Sequence, residues 1–481
     1  MIRTLKIFAL IMGLMQPVLA SAVTVDTESL HLRFSEYGDL LNAEVCFPDC
    51  RAMQSKTRNQ SSEQLRFTIS RIDRRPIHLR QSHENGLTVL VFTDQAGEIV
   101  RRWQIPDQGW SVSVTVLGAE RATLSSGAGF RPPASSGFGY LLEQSRYLLF
   151  DGADVDTVGL DESSSPIRTS AGWLGFRNRF LAALVLPGKP LEYRLQSGES
   201  IDDASIMIQL DTSKEHSLSL YLGPVEPVAL SQASAELESL MYSGLWFWLR
   251  WICQGLYYLL NTIFLFIPQW GLAVMILSVL VGVLMRPLSR IAERLQDQVH
   301  ETDARLSPSL TAIKRDFKGA EQSEKILALY KSEGVHPLYS LKSLLGVFVV
   351  IPVFIGAFDM LAENIHLSGV SFLWIADLSH ADAFAKLPFG INIPFFGSYL
   401  NLLPFIMTGF SFLASKLHSH PAMDAAQQRK QSRNLALMSI GFLVLFYTFP
   451  AGMVLYWTTN NLISVIKMLW KKRRPGDNQS P

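Results

Sequence analysis

A cluster of polar residues interrupts an apolar run near the C-terminus, where the chain reads FPAGMVLYWTTNNLISVIK from Phe449 to Lys467. The cluster consists of Thr458, Thr459, Asn460 and Asn461, preceded directly by Tyr456 and Trp457. In hydrocarbon an unpaired amide or hydroxyl is costly, so such groups face a protein partner or a wet cavity. In a helix Tyr456 and Asn460 share one face because they are four residues apart, and Trp457 and Asn461 share the adjacent face. The pattern predicts hydrogen-bonding chemistry, either contact with a polar substrate or bracing between helices.

Motifs for catalysis or nucleotide binding are missing from the sequence. It contains no GxxxxGK[ST], no HExxH and no GxSxG, and the histidines of the N-terminal half are scattered. We therefore expect no enzyme activity, no cofactor and no metal site. Cys46 and Cys50 flank a turn in CFPDC that can bring their thiols together. A disulfide is favoured over metal ligation, because no matching cluster of His or Cys accompanies the pair.

Composition divides the chain of 481 residues into two parts. The net charge of +1 gives no overall field that would favour nucleic acid. Nearly all long apolar runs fall within residues 240–470, which we expect to form a membrane domain, whereas residues 23–235 are typical of a soluble domain. Residues 1–22 combine basic residues, a short apolar core and Ala20-Ser21-Ala22, which predicts a cleaved signal peptide. The alternative is an uncleaved first membrane anchor.

Short alternating segments fill the predicted soluble domain. LTVLVFT and EIVRRWQI are strand-like runs joined by Asp94 to Gly97, a typical hairpin connection, and WSVSVTV alternates strictly between apolar and polar residues. Frequent turns without helical periods predict an antiparallel β-sandwich.

The C-terminal half predicts five membrane-spanning helices. They cover approximately residues 270–288, 343–362, 399–417, 434–449 and 452–470. Lys and Arg concentrate in the segments 286–342 and 416–433 and in the tail 471–481, whereas segment 363–398 contains only Lys386. The positive-inside rule places the three basic segments in the cytoplasm and the sandwich outside the inner membrane, in the periplasm. Helical patterns within residues 289–337 predict a basic cytoplasmic hairpin with a helix start at Ser307-Pro308 and a stop at Gly319.

Several of these stretches resemble the YidC/Oxa family of membrane protein insertases, in the Gram-negative form with a large periplasmic domain. The resemblance rests on LWIADLS (Leu373 to Ser379), FPAGMVLYWTTNN (Phe449 to Asn461), LALYKSEGVHPL (Leu327 to Leu338) and MRPL (Met285 to Leu288). It implies that five helices enclose a hydrophilic groove that inserts and helps to fold inner membrane proteins without nucleotide hydrolysis. The implied partners are nascent membrane proteins and the lipid bilayer, with the Sec translocon and the ribosome as further candidates.

Two positions depart from the family pattern. The family carries an arginine at the position of Gly282, whereas this chain has its arginine four residues later, at Arg286. A family glutamine two residues before the proline of the third span is matched by Val350. Arg286 is rotated by only about 40° from Gly282 on a helix, so its long side chain can reach back into the groove or act as a topological anchor.

The candidate groove residues are therefore Arg286, Gly282, Tyr456, Trp457, Thr459, Asn460 and Asn461. The displaced arginine leaves open a divergent paralogue that acts mainly as an assembly chaperone. A different class of protein, a sugar-binding domain tethered to a membrane anchor, predicts clustered carboxylates and aromatics on one face of the sandwich.

Overall fold

The computed structural model describes residues 22–47, 66–70, 78–125, 137–142, 145–150, 155–159, 166–196, 204–336, 338–339, 341–417 and 425–473. They form two compact units, one from residues up to 133 with 144–241, the other from residues 134–143 with 242 onwards. Most of the predicted signal segment, Cys50 and the tail beyond residue 473 lie outside the described residues. The predicted Cys46–Cys50 disulfide and the domain limits stay predictions.

In the first unit, the described residues form two antiparallel sheets. The strands are β1 Val23–Asp26, β2 Leu30–Phe34, β3 Leu40–Val45, β4 Arg66–Ser70, β5 His78–Glu84, β6 Leu87–Thr93, β7 Ile99–Pro106, β8 Ser111–Leu117, β9 Arg121–Ser125, β10 Arg146–Phe150, β11 Val155–Gly159, β12 Arg168–Ser170, β13 Leu174–Arg177, β14 Leu181–Leu186, β15 Leu191–Gln196, β16 Ser205–Gln209 and β17 Glu215–Pro224. One sheet has the order β1-β2-β3-β4-β9-β16-β15-β12 and the other β11-β10-β13-β14-β17-β8-β7-β6-β5. The predicted antiparallel, sandwich-like architecture is confirmed.

Alternation decides which side chains enter the core between the sheets. In β8 the buried residues are Val112, Val114 and Val116, and the intervening serines and threonine are more exposed. The predicted hairpin joins β6 to β7, and the Asp94 carboxylate accepts the backbone N–H groups of Ala96 and Glu98 within its turn. Such alternation is the pattern expected of strands that bury one face.

The centre of this core holds an aromatic group and a buried ion pair. Trp103 is fully buried, with ring centroids 5.1 Å from Phe34 and 6.1 Å from Phe67. Nearby, Arg101 Nη1 lies 2.6 Å from Asp39 Oδ1, and Nη2 donates to the Ile69 carbonyl at 2.7 Å. Burial lowers the pKa of Arg101 from its ordinary value, while the Asp39 carboxylate opposes that shift.

The described aromatic residues of this unit are almost all covered. Among the described Phe, Tyr and Trp residues of this unit, only Tyr37 is exposed, at 40%. The described residues thus show no aromatic cluster of the kind that the sugar-binding alternative predicts.

Helices dominate the second unit. The helices of the described chain are α1 Pro227–Ala233, α2 Phe247–Phe266, α3 Trp270–Leu284, α4 Arg286–Asp316, α5 Gly319–Ser332, α6 Leu341–Ala362, α7 Leu402–Leu417, α8 Ala425–Phe446 and α9 Ala451–Arg473, of which α1 belongs to the first unit. A short ribbon of β18 Ala385–Lys386 and β19 Tyr399–Leu400 lies between α6 and α7.

Two helix boundaries differ from those predicted. The helix expected over residues 270–288 is broken at Met285, where α3 and α4 meet at a bend of 54°. Pro287 falls in the first turn of α4, where its missing N–H costs nothing. The helix start expected at Ser307-Pro308 is wrong, because α4 continues through Pro308 to Asp316. Gly319, expected as a stop, begins α5 with φ of +64°.

Among the described residues, no single helix is both long enough and apolar enough to cross a membrane, and only the bent pair α3–α4 meets that standard when taken together. Shorter apolar stretches cover Val350–Ala362, Leu402–Leu417 and Ser432–Phe446. The five predicted spans and the cytoplasmic placement of α4 and α5 therefore stay predictions.

The Asp39–Arg101 pair generates a stability prediction. Asp39→Ala should weaken the sandwich by about 3–5 kcal/mol, since it leaves a buried guanidinium without its counter-charge. Hydrogen–deuterium exchange of the full chain should show faster exchange in β4 and β7, with exchange in the helices unchanged. Asp211→Ala is the matched control because it removes an exposed partner of Lys214 in the same unit, and it should have little effect. Equal protection in both variants would contradict a stabilising role for the buried pair.

Candidate functional site

A cavity of about 1290 Å³ opens between α3, α4, α6, α7 and α9. Its inner wall is neutral and includes Gly282, Phe354, Trp457 and Asn460. Its charged wall consists of Arg286, Arg290, Glu293, Asp297 and Glu301 on α4, Lys416 on α7 and Lys467 on α9. We call this cavity the groove. It is large enough for an extended peptide segment, since sites for small molecules are about 300–1,000 Å³.

The bend at Met285 sets the direction in which Arg286 projects from the start of α4. Arg286 is the first residue of α4, and its side chain is exposed on the groove wall. Gly282 lies on the last turn of α3, and a Cβ atom built on it would lie 3.8 Å from Asn460 Oδ1. That distance is an ordinary van der Waals contact, so there is room for the start of a larger side chain at position 282.

The polar cluster of α9 separates into two sets. The hydroxyls of Thr458 and Thr459 donate to the carbonyls of Val454 and Leu455, four residues earlier, at 2.7 and 2.8 Å. These hydroxyls therefore need no partner outside their own helix. They are buried, and Thr459 does not line the groove.

Asn461 joins two helices. Its Nδ2 atom donates to Ser411 Oγ at 2.8 Å and to the Met407 carbonyl at 3.3 Å, both on α7. Tyr456 is buried away from the groove, and its carbonyl accepts a hydrogen bond from Ser278 Oγ of α3 at 2.9 Å. These contacts hold α9 against both neighbours.

Trp457 and Asn460 are left to face the groove. They are three residues apart, so they share one side of the helix. The Trp457 ring packs against Phe354 of α6 with centroids 4.4 Å apart. Of the seven residues predicted for the groove, the structure brings together Gly282, Arg286, Trp457 and Asn460, and it places Tyr456, Thr459 and Asn461 elsewhere.

The charged wall includes residues that the sequence analysis did not single out. Positions 286, 290, 293, 297 and 301 follow the spacing of a single helix face. The cations occupy the first two turns of α4 and the carboxylates the turns beyond. Lys416 and Lys467 add positive charge from two other helices. The helical spacing along α4 was the signal that would have identified this face.

A loop between α6 and α7 positions the two helices that hold the Asn461 contact. Asp382 Oδ2 accepts the Leu403 backbone N–H at 2.8 Å and the Trp374 ring N–H at 3.1 Å, which caps α7. The backbone carbonyls of His380 and Leu378 accept the first N–H groups of α9, each at 2.7 Å. Burial raises the pKa of Asp382 above its ordinary value. Residues 374–382, which include most of LWIADLS, therefore satisfy the starts of both helices.

The sequence pattern of the 60Kd inner membrane protein family matches residues 262–478, which include every residue of the groove. Residues 262–478 of this chain are thus similar to the YidC/Oxa family.

Relatives of this family share a modest part of the sequence. A protein of Syntrophobacter fumaroxidans named membrane protein insertase YidC is 26% identical over 66% of this chain and 56% of its own length. Proteins of the same name from Pseudomonas fluorescens and Pseudomonas putida are 29% and 26% identical, over 67% and 84% of this chain and 54% and 70% of their own lengths. The chain thus spans little more than half the length of the first of these relatives. A solved structure of an active YidC insertase covers 97% of this chain and 99% of its own, but at 16% identity and a TM-score of 0.35 that likeness decides nothing further.

Substitution of the two asparagines of α9 should affect the stability of the protein differently. Asn461→Ala removes both hydrogen bonds to α7 and should lower the stability of the purified protein by about 1 kcal/mol. Asn460→Ala, its neighbour on the groove wall, is the matched control and should unfold at the temperature of the unchanged protein. Thermal unfolding in detergent measures both. If the two variants lose the same stability, Asn461 is not a specific brace.

Proposed function

We propose that this chain inserts segments of membrane proteins into the inner membrane and helps them to fold. The observation that carries the proposal is that Gly282, Arg286, Trp457 and Asn460, from three helices, meet in one open groove within the residues that match the family. A hydrophilic tail or loop of the substrate enters this groove, while its apolar segment partitions into the adjacent lipid. Nascent membrane proteins are the substrates.

The driving force is hydrophobic partitioning rather than nucleotide hydrolysis. Leucine-like residues each gain about 0.3–0.6 kcal/mol at the bilayer centre, so a segment of about 20 residues gains several kcal/mol. The cost that opposes insertion is the transfer of the polar tail through hydrocarbon. A groove with a polar wall lowers that cost, because Asn460 and water hydrogen-bond to the tail along its path.

The cations of the groove give it a preference among substrate tails. Arg286 and Arg290 on α4, Lys416 on α7 and Lys467 on α9 surround the space beside the neutral wall. Coulomb interactions are several times stronger near a protein surface than in bulk water. A carboxylate on the tail is therefore attracted to the start of α4, whereas Glu293, Asp297 and Glu301, further along the same helix face, attract Lys and Arg.

The basic segments orient the protein. With the segments 286–342 and 416–433 and the tail on the cytoplasmic side, five spans leave the sandwich in the periplasm and the charged wall of the groove facing the cytoplasm. The helices α4 and α5 then extend into the cytoplasm, where the ribosome is a candidate partner. The Sec translocon is a candidate partner within the membrane.

Assembly of membrane proteins after their insertion is the second candidate function. Gly282 favours it, because this position on the neutral wall carries no charge, whereas the family pattern has an arginine there. A groove without that charge still offers a polar, sheltered surface to a helix that awaits its partners.

Insertion without nucleotide is the first test of the proposal. Purified protein in liposomes should insert single-span and hairpin substrates without added ATP, since partitioning supplies the free energy. Protection of the inserted segment from protease measures the reaction, and empty liposomes and a working insertase serve as controls. Failure with several substrates on which the control insertase succeeds would refute the proposal and leave the assembly role.

Substitution of Arg286 is the second test. Arg286→Ala should reduce insertion of a substrate with an acidic tail about tenfold, equivalent to ~1.4 kcal/mol of lost interaction. Arg286→Lys should retain most of the activity. The double change Arg286→Ala with Gly282→Arg should restore it, because position 282 has room for a side chain directed at the groove.

Arg294→Ala is the matched control for this series, because Arg294 is an exposed cation of α4 that does not line the groove. It should leave insertion unchanged at equal protein level. Full activity of Arg286→Ala would show that Arg286 serves as a topological anchor instead.

A further inference from the structure

The loop between α6 and α7 carries an exposed apolar ribbon, residues 384–400. Its base is β18 paired with β19, continued by hydrogen bonds from Leu387 to Ser398 and between Ile393 and Gly397. Its large exposed side chains are Phe384, Phe389, Ile391, Ile393, Phe395 and Tyr399, between 42% and 100% exposed. Lys386 is the only charged residue within these positions.

The base of this apolar ribbon is fixed. Asn401, which is buried, accepts the Ala383 backbone N–H at 3.0 Å and donates from Nδ2 to the Tyr447 carbonyl at 2.7 Å. The Tyr447 hydroxyl donates to the Tyr399 carbonyl at 3.0 Å. The exposed tip is therefore held in a defined place rather than hanging from a loose loop.

The backbone at the tip is strained at Phe389, an exposed aromatic residue. Phe389 has φ of +59° and Gly390 has φ of +67°. A glycine or asparagine adopts the first of these conformations readily, whereas a bulky residue there is strained by about 1–3 kcal/mol. Phe389 nevertheless occupies the position, and its side chain is completely exposed. That is a disfavoured arrangement for a tip surrounded only by water.

The distribution of the exposed residues favours one kind of environment. All residues from Pro388 to Phe395 are exposed. Phe395 packs edge-on against Phe138, with ring centroids 4.8 Å apart. Around Phe389 and Ile391 the consecutive residues point in different directions, so apolar surface surrounds the tip there. A protein partner would cover one side, whereas the interior of a bilayer can cover all of them.

The place of the ribbon in the chain points to the same environment. A single residue, Asn401, separates β19 from α7, which is one of the apolar helices. The base of the ribbon therefore cannot lie far from the end of that helix. Aromatic residues are enriched where membrane proteins meet the lipid headgroups.

We propose that the apolar ribbon inserts its tip, around Phe389 and Ile391, into the lipid of the outer leaflet beside α7. The choice of leaflet rests on the topology given under the proposed function. Lipid insertion of the tip anchors the loop that caps α7 and α9. It also places apolar side chains in the bilayer close to the helices that form the groove.

Nitroxide labels can test this in the full-length protein reconstituted into phosphatidylethanolamine–phosphatidylglycerol vesicles. Cys46, Cys50 and the buried Cys253 are changed to Ala, and single cysteines replace Phe389 or Ile391 for labelling. Ala96→Cys is the matched control, because Ala96 lies in an exposed hairpin turn of the sandwich. Collision with oxygen, which concentrates in lipid, is compared with collision with a water-soluble nickel chelate.

Labels at Phe389 and Ile391 should collide several-fold more with oxygen than the label at Ala96 does, and several-fold less with nickel. High nickel collision at all three sites would show that the tip lies in water and would overturn the proposal. Low collision with both reagents would show that protein covers the tip and would overturn it equally. The measurement requires no insertion of substrate, so its result does not depend on the outcome of the insertion assay.

Discussion

Two hydrogen bonds from Asn461 to α7 determine how the rest of the groove is arranged. An amide in an apolar helix must find partners, and here it finds them across the contact between α7 and α9. That requirement fixes the rotation of α9 about its own axis. Because Asn461 points towards α7, Asn460 and Trp457 lie on the side of α9 that lines the groove, near Gly282 of α3 and Phe354 of α6. The hydrogen bond from Ser278 to the Tyr456 carbonyl secures the same rotation from the side of α3.

The loop before α7 supports this arrangement at the helix ends. The first N–H groups of a helix have no partner within it, and in a buried setting they must be satisfied from outside. Asp382 performs this function for α7, and the carbonyls of Leu378 and His380 perform it for α9. One short segment thus sets the start of both helices, and so it defines their relative height and with it the pairing of Asn461 with Ser411.

Sequence patterns predicted the sheets well because alternation is a local property, as the buried valines of β8 show. They also singled out four residues that line the groove, together with three that the structure places outside it. Which polar residues of α9 face the groove could not be predicted. Tyr456 and Asn461 form hydrogen bonds with Ser278 and Ser411 instead, and these partners are far away in sequence. Helical spacing alone pairs Tyr456 with Asn460 and gives no information about which neighbour each one meets. The break at Met285 and the passage of α4 through Pro308 were missed for a related reason, since a proline at either place is compatible with a start, a kink or a continuation.

The length of α4 has a mechanical consequence. A helix of 31 residues is a stiff rod of about 46 Å, and its first residue, Arg286, stands at the bend with α3. A load applied near Asp316 acts on a long arm, and it is resisted both by the packing of α4 against α6 and by the bend at Met285. Arg286 lies beside this bend. When α4 tilts, its guanidinium therefore turns through the same angle as the distant end of the helix but moves only a small distance. Tilting of the rod therefore reorients the charge that faces the groove and leaves its position nearly constant.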